Sequence, residues 1–158
     1  MLSVRGRTPA ATEALIQQMA KAGMSNMQIV GGDTIKTDKL PATVEGIRGV
    51  YSTSPIIEAR EFVAGPQFLS KFREKFKGDP VYGAHYAYDA VYVLAAAMQR
   101  GSTAEPKKVL EELKRIDALA PVTNNVRFKQ DGEQYYGVVS VYRARGGKWE
   151  PVTRSDSW

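Results

Sequence analysis

The residues best placed to do chemistry in this sequence are Asp33 and Thr34. They follow Met27-Gln28-Ile29-Val30, a short apolar run with strand character, and the pair Gly31-Gly32. They precede Thr37-Asp38-Lys39-Leu40, which reads as the start of a helix. In an open α/β sheet, ligands bind at the loops beyond the carboxyl ends of strands. An acid and a hydroxyl at such a place form a candidate recognition pair, with the two glycines expected to let the chain turn sharply. The structural alternative is that Asp33 caps the turn or helix that follows it.

Other chemistries find less support. His85 is the only histidine. A serine–histidine–acid triad would need a marked nucleophile, and no Gly-x-Ser-x-Gly elbow is present. A zinc site would need more nitrogen or sulfur ligands than one histidine offers, and there is no cysteine to supply them. Polar capping near a helix start is the role expected of His85. Gly31-Gly32-Asp33 is not a dinucleotide fingerprint, because the three-glycine spacing is missing and no P-loop lysine follows. Lys36 and Arg48 could meet a phosphate, but nothing around them specifies one. No metal and no cofactor are expected. A small α/β enzyme using Asp33 and His85 ranks last among the readings, since the two lie on unlike segments.

These residues must be positioned by a fold, and composition bounds it. The 158 residues favour one domain with a real core. A charged content of 25% beside 43% hydrophobic residues is ordinary for a soluble globular chain. The longest apolar run, Ala90 to Met98, is too short to span a bilayer. The net charge of +5 permits anionic partners. The cations are nevertheless interleaved with acids, as at Lys107, Lys108, Glu111, Glu112, Lys114 and Arg115, which marks solvated helix faces. No stacking or base-reading motif accompanies them, so no nucleic-acid partner is expected. The opening Met1-Leu2-Ser3-Val4-Arg5-Gly6-Arg7 lacks the apolar run of a secretory signal. Taken literally the chain stays in the cytoplasm; equally, it is a fragment whose signal lies upstream.

The order of elements begins as alternating α/β. Met1 to Val4 ends a strand, and Pro9 suits the first turn of a helix running from Ala10 to Ala22. Ala14, Leu15, Met19 and Ala22 are its apolar positions, with Gly23 its stop. Met27–Val30, a short helix at about Thr37–Val44, and a strand from Ile47 to Ser54 follow. This pattern predicts a parallel sheet with covering helices. Then come three helices: Pro66–Lys77, with Phe68, Leu69, Phe72 and Phe76 on one face; Tyr82–Arg100, apolar on nearly every side and expected to be deeply buried; and about Glu105–Ile116, capped by Thr103. Strands at Asn125–Phe128, Gly137–Arg143 and Trp149–Val152 are expected to close the chain as a β-meander, turning at Asp131-Gly132 and Gly146-Gly147. The three helices would normally cover a sheet that the chain does not fully supply.

Three stretches carry a resemblance to a known family: Ile29-Val30-Gly31-Gly32-Asp33, Glu45-Gly46-Ile47-Arg48-Gly49-Val50-Tyr51, and Tyr86-Ala87-Tyr88-Asp89-Ala90-Val91. Together with the closing Val126-Arg127-Phe128-Lys129-Gln130-Asp131-Gly132 and Gly147-Lys148-Trp149, they resemble the leucine/isoleucine/valine-binding proteins. These are the substrate-binding components of branched-chain amino-acid ABC transporters. The resemblance implies the carboxyl-terminal half of a type I periplasmic-binding-protein fold, whose two α/β lobes close on a ligand. Residues 1–56 would then be the remainder of the second lobe, 57–124 the helices returning to the first lobe, and 125–158 the closing strands and a hinge crossing.

The same resemblance assigns roles. Asp33 matches the acid that binds the ligand ammonium, with Thr34 beside it. Arg7 stands where several members carry an aromatic, and an arginine there would favour a ligand with a further carboxylate. Tyr82 and Tyr86 could touch ligand, although aromatics at that spacing are more often core. The implied partners are a small amino acid or related carboxylate and a membrane permease, and the intact protein would be periplasmic. A half-molecule is expected to bind ligand poorly alone and to self-associate. The alternative is a cytoplasmic regulatory, sensor or interaction domain of the same fold.

Overall fold

A computed structural model describes residues 2–4, 8–44 and 46–156. The chain divides into two units, one formed by residues 1–57 and 138–158 and the other by 58–137.

The first unit is built on a five-stranded mixed sheet. Strands β1 (Leu2–Val4), β2 (Gln28–Gly31) and β3 (Gly49–Ser54) run parallel in that order, as the alternation of elements predicts. Helix α1 (Pro9–Lys21) begins at Thr8, whose hydroxyl accepts from the Ala11 amide at 3.3 Å, with Pro9 at the first helical position. Its buried stripe is Thr12, Ile16 and Met19, one step round from the expected face, while Ala14, Leu15 and Ala22 face solvent. A threonine can sit inward here because its hydroxyl donates to the Thr8 carbonyl at 3.1 Å, leaving no unmet donor. Ile16, Met19, Ile29, Ile35, Leu40, Val44 and Val50 form the core, with Leu40 opening the short helix α2 (Leu40–Thr43).

The second unit holds helices α3 (Gly65–Phe76), α4 (Ala84–Gly101) and α5 (Pro106–Lys114), with strands β4 (Asp117–Ala120) and β5 (Asn124–Arg127). Glycine is obligatory where α3 starts. A Cβ on Gly65 would lie 1.5 Å from the Ala59 carbonyl oxygen, a backbone atom that cannot yield. Helix α4 corrects an expectation. Only the stripe His85, Asp89, Val93 and Ala97 is buried, whereas Val91, Tyr92, Leu94 and Met98 are exposed. Helix α5 and β4 pack against α4, and Phe62 and Phe68 cover its first turns.

The closing strands also differ from a single meander. β5 pairs antiparallel with β4, whose Asp-Ala-Leu-Ala sequence carries little β propensity. β6 (Ser140–Arg145) and β7 (Lys148–Arg154) form a hairpin turning at Gly146-Gly147, and β6 pairs antiparallel with β3. The sheet order is therefore β1-β2-β3-β6-β7.

A buried carboxylate locks the second unit. Asp89, 3% exposed, accepts from the Val122 amide at 3.0 Å, the Thr123 amide at 2.6 Å and the Thr123 hydroxyl at 2.7 Å. It thereby ties the β4–β5 turn to α4 with charge-assisted bonds. Replacing it with alanine strands those amides in a dry site. Asp89→Ala should lower unfolding stability by about 2–4 kcal/mol, read as a fall in the urea midpoint, while the exposed Val91→Ser should change it by less than about 0.5 kcal/mol.

Candidate functional site

The segment from Gly32 to Thr37 leaves the carboxyl end of β2 as a loop held at both ends. At its start, the buried Ser52 hydroxyl on β3 donates to the Gly32 carbonyl at 2.9 Å. Neither glycine makes the turn through a left-handed backbone, contrary to the expectation for the pair. Gly32 has φ −77° and open space where a side chain would be. Gly31 serves a close approach instead: a Cβ there would meet the Ile35 side chain at 2.6 Å, and Ile35 is core.

A single 3₁₀ turn, Asp33–Ile35, then closes with the Lys36 amide donating to the Asp33 carbonyl at 2.9 Å. At the far end Thr37 is gripped twice. Its hydroxyl donates to Glu13 of α1 at 2.8 Å, and its carbonyl accepts from the Trp149 indole on β7 at 2.8 Å.

Asp33 and Thr34 stand on the crest of this loop, both exposed. The Asp33 carboxylate makes no hydrogen bond or ion pair with any described residue, and neither does the Thr34 hydroxyl. The capping alternative is occupied by another residue, because the Leu40 amide that opens α2 donates to Thr37 Oγ1 at 3.2 Å. An acid and a hydroxyl are thus displayed side by side on a braced support, ready to accept from an ammonium or to exchange hydrogen bonds with a polar ligand.

The other expected site residues lie elsewhere. Arg7 falls outside the described residues. Tyr82 and Tyr86 belong to the second unit, before and within the first turn of α4. Tyr86 is half-buried, edge-on to Phe62 at 6.1 Å and 4.6 Å from the His85 ring, which makes it part of an aromatic cluster. His85 sits in that first turn, 4% exposed among Phe62, Phe68 and Tyr86, and the helix cap itself is Gly83. Lys36 is buried with its ammonium 4.3 Å from the centre of the Tyr142 ring, a cation–π contact rather than a surface open to phosphate. Among the described residues no group of three or more histidine, aspartate or glutamate side chains could hold a metal ion. No helix among them is long and apolar enough to cross a membrane.

Ser52 and Trp149 were not singled out as site residues. Ser52 lies two residues on from Val50, on the same buried face of β3. Trp149 had no local signal, since its partner lies 112 residues away.

A model of the periplasmic binding protein family matches residues 5–148. The chain belongs to the periplasmic binding protein family. Among solved structures, a leucine binding protein from Thermotoga maritima superposes with a TM-score of 0.76 at 18% identity, over 96% of this chain and 44% of its own. A branched-chain amino acid transporter substrate binding protein from Streptococcus pneumoniae, solved with isoleucine, gives 0.72 at 21% identity, over 95% and 43%. A solute binding protein of an ABC transporter from R. palustris, solved with benzoate, gives 0.67 at 16% identity, over 90% and 39%. This periplasmic-binding-protein chain therefore spans less than half the length of the structures it matches, and it shares their α/β fold. Comparison with curated proteins gave no match. The family is one of binding proteins.

Removing the brace and removing the displayed acid should have different signatures. Ser52→Ala deletes a buried bond and should cost about 1 kcal/mol of stability. Asp33→Asn should leave the urea midpoint unchanged within about 0.5 kcal/mol, because that side chain supports nothing in the fold.

Proposed function

We propose that this chain is the carboxyl-terminal part of the solute-binding component of an ABC transporter for branched-chain or related amino acids. The observation that carries the reading is the unpartnered Asp33 carboxylate beside Thr34, on a loop braced at both ends. In this reading Asp33 meets the ligand ammonium and Thr34 adds a hydroxyl. Tyr82 and Tyr86 are further candidate ligand contacts, and Arg7 favours a ligand bearing a further carboxylate. Residues 1–56 belong to the second lobe, 57–124 return to the first, and 125–158 carry the closing strands and a hinge crossing. Closure of two lobes would trap the ligand and present a surface to a membrane permease in the periplasm.

In this reading the groups that grip a ligand carboxylate belong mainly to the first lobe and lie outside these 158 residues. Isothermal titration of the 158-residue chain with leucine, glutamate and phenylalanine should therefore show at most millimolar binding, worth roughly 4 kcal/mol. Micromolar binding of any of the three would overturn that expectation.

The uncovered apolar surface of the second unit supports self-association. Phe76 is 60% exposed, Val91 65% and Tyr92 50%, a density unusual for a solitary chain. Light scattering should report a dimer or larger species, and a strictly monomeric chain at high concentration would refute it.

A further inference from the structure

A recess of about 750 Å³ opens in the second unit between the end of α5, the start of β4 and the end of β5. Its floor is Ile116, 2% exposed, with half-buried Phe128 beside it. Lys114, Arg115, Arg127 and Lys129 line it against a single lining acid, Asp117. The two lysines are engaged. Lys114 holds Glu111 at 2.9 Å and Lys129 holds Glu133 at 2.9 Å. These bonds keep the Glu111 carboxyl below its usual range and the Lys129 ammonium above its own.

The two guanidinium groups are different. Arg127 faces Asp117 across the β4–β5 ladder but makes no ion pair with it or with any other described carboxylate. It lies instead over the exposed Tyr135 ring, 5.0 Å from its centre. That stack is prearranged by the backbone: the Tyr135 amide donates to the Arg127 carbonyl at 2.7 Å, and the Arg127 amide donates to Gln134 Oε1 at 3.0 Å. Arg115 has its nearest carboxylate, Glu112, only at 3.9 Å. Two guanidinium forks therefore face an open groove with an aromatic rim and an apolar floor. Arginine and tyrosine in such a setting are the residue types that anchor protein interfaces.

We propose that this groove receives an acidic peptide segment of a partner protein, its carboxylates met by Arg127 and Arg115 and its chain laid along Tyr135 and Phe128. An open recess with an apolar floor and a cationic lining suits an acidic length of chain. A flat bilayer would rest on the rim without reaching the floor. A nucleic-acid strand would want a row of exposed rings to stack on, and Tyr135 is the one exposed ring among the lining residues. The proposal is independent of the solute-binding reading, because no residue is shared with the Asp33 loop.

The test is fluorescence anisotropy of the 158-residue chain with a labelled glutamate-rich octapeptide, a lysine-rich octapeptide and a thymidine oligonucleotide, and co-sedimentation with phosphatidylserine vesicles. The glutamate peptide should bind saturably at low salt and the lysine peptide should not. Raising salt from about 50 to about 300 mM should weaken binding at least about five-fold. Arg127→Gln should weaken it about ten-fold by removing a charge-assisted pair, with Arg145→Gln, a cation of the other unit, unchanged. Arg115→Gln serves as a second variant should Arg127→Gln alter the far-UV circular dichroism. Absence of saturable peptide binding, equal losses in Arg127→Gln and Arg145→Gln, or tighter binding to the vesicles or the oligonucleotide than to the peptide would each overturn the proposal.

Discussion

The pairing of β3 with β6 is the constraint on which the sheet depends. β3 is laid down early, parallel to β2, and its other edge waits for a strand that arrives only after residues 58–137 have been traced. Closing so long a connection costs chain entropy before any ladder bond is gained. The compensation is concentrated at this strand. Val50 enters the core and Ser52 reaches across to the β2 loop, while Ser54 folds back to bond Ile56. Once β6 and β7 are in place, Trp149 clasps the loop's far end at Thr37. The crest that displays Asp33 is therefore finished by the last part of the chain, although every residue of the crest lies in its first quarter.

Two aspartates show how environment divides one residue type between roles. Asp89 is saturated with donors and buried, so its charge is spent on fixing a turn against a helix. Asp33 is exposed and unengaged, on a loop whose shape other residues maintain. Both lie in stretches that resemble the same family. Only the structure separates the aspartate that holds the fold from the one that supports nothing in it.

Much of this was legible in the residues. Period and punctuation located β1 to β3, α1, α3 and α5, because Thr8-Pro9, Gly23 and the aromatic face of α3 are local signals. The loop position of Asp33 and Thr34 was legible because a short apolar strand followed by two glycines is a sequence pattern. What escaped was non-local. β4 has the composition of a connection, and only its ladder with β5 makes it a strand. The burial of α4 was overestimated because apolar content says how much surface wants cover, not how much receives it. The bracing of the loop by Ser52 and Trp149 depends on sheet order, which no local window encodes.

Ser54 and Ser140 face each other as the last and first residues of adjacent antiparallel strands. The whole of 58–137 thus leaves and re-enters the first unit through neighbouring positions, as a cassette set into what would otherwise be an ordinary hairpin. A gene in which a short turn replaced that cassette would still encode all five strands of the sheet and the braced loop. The braced loop and the surface-rich helical unit are in this sense separable inheritances, free to be combined, exchanged or lost without redesigning one another.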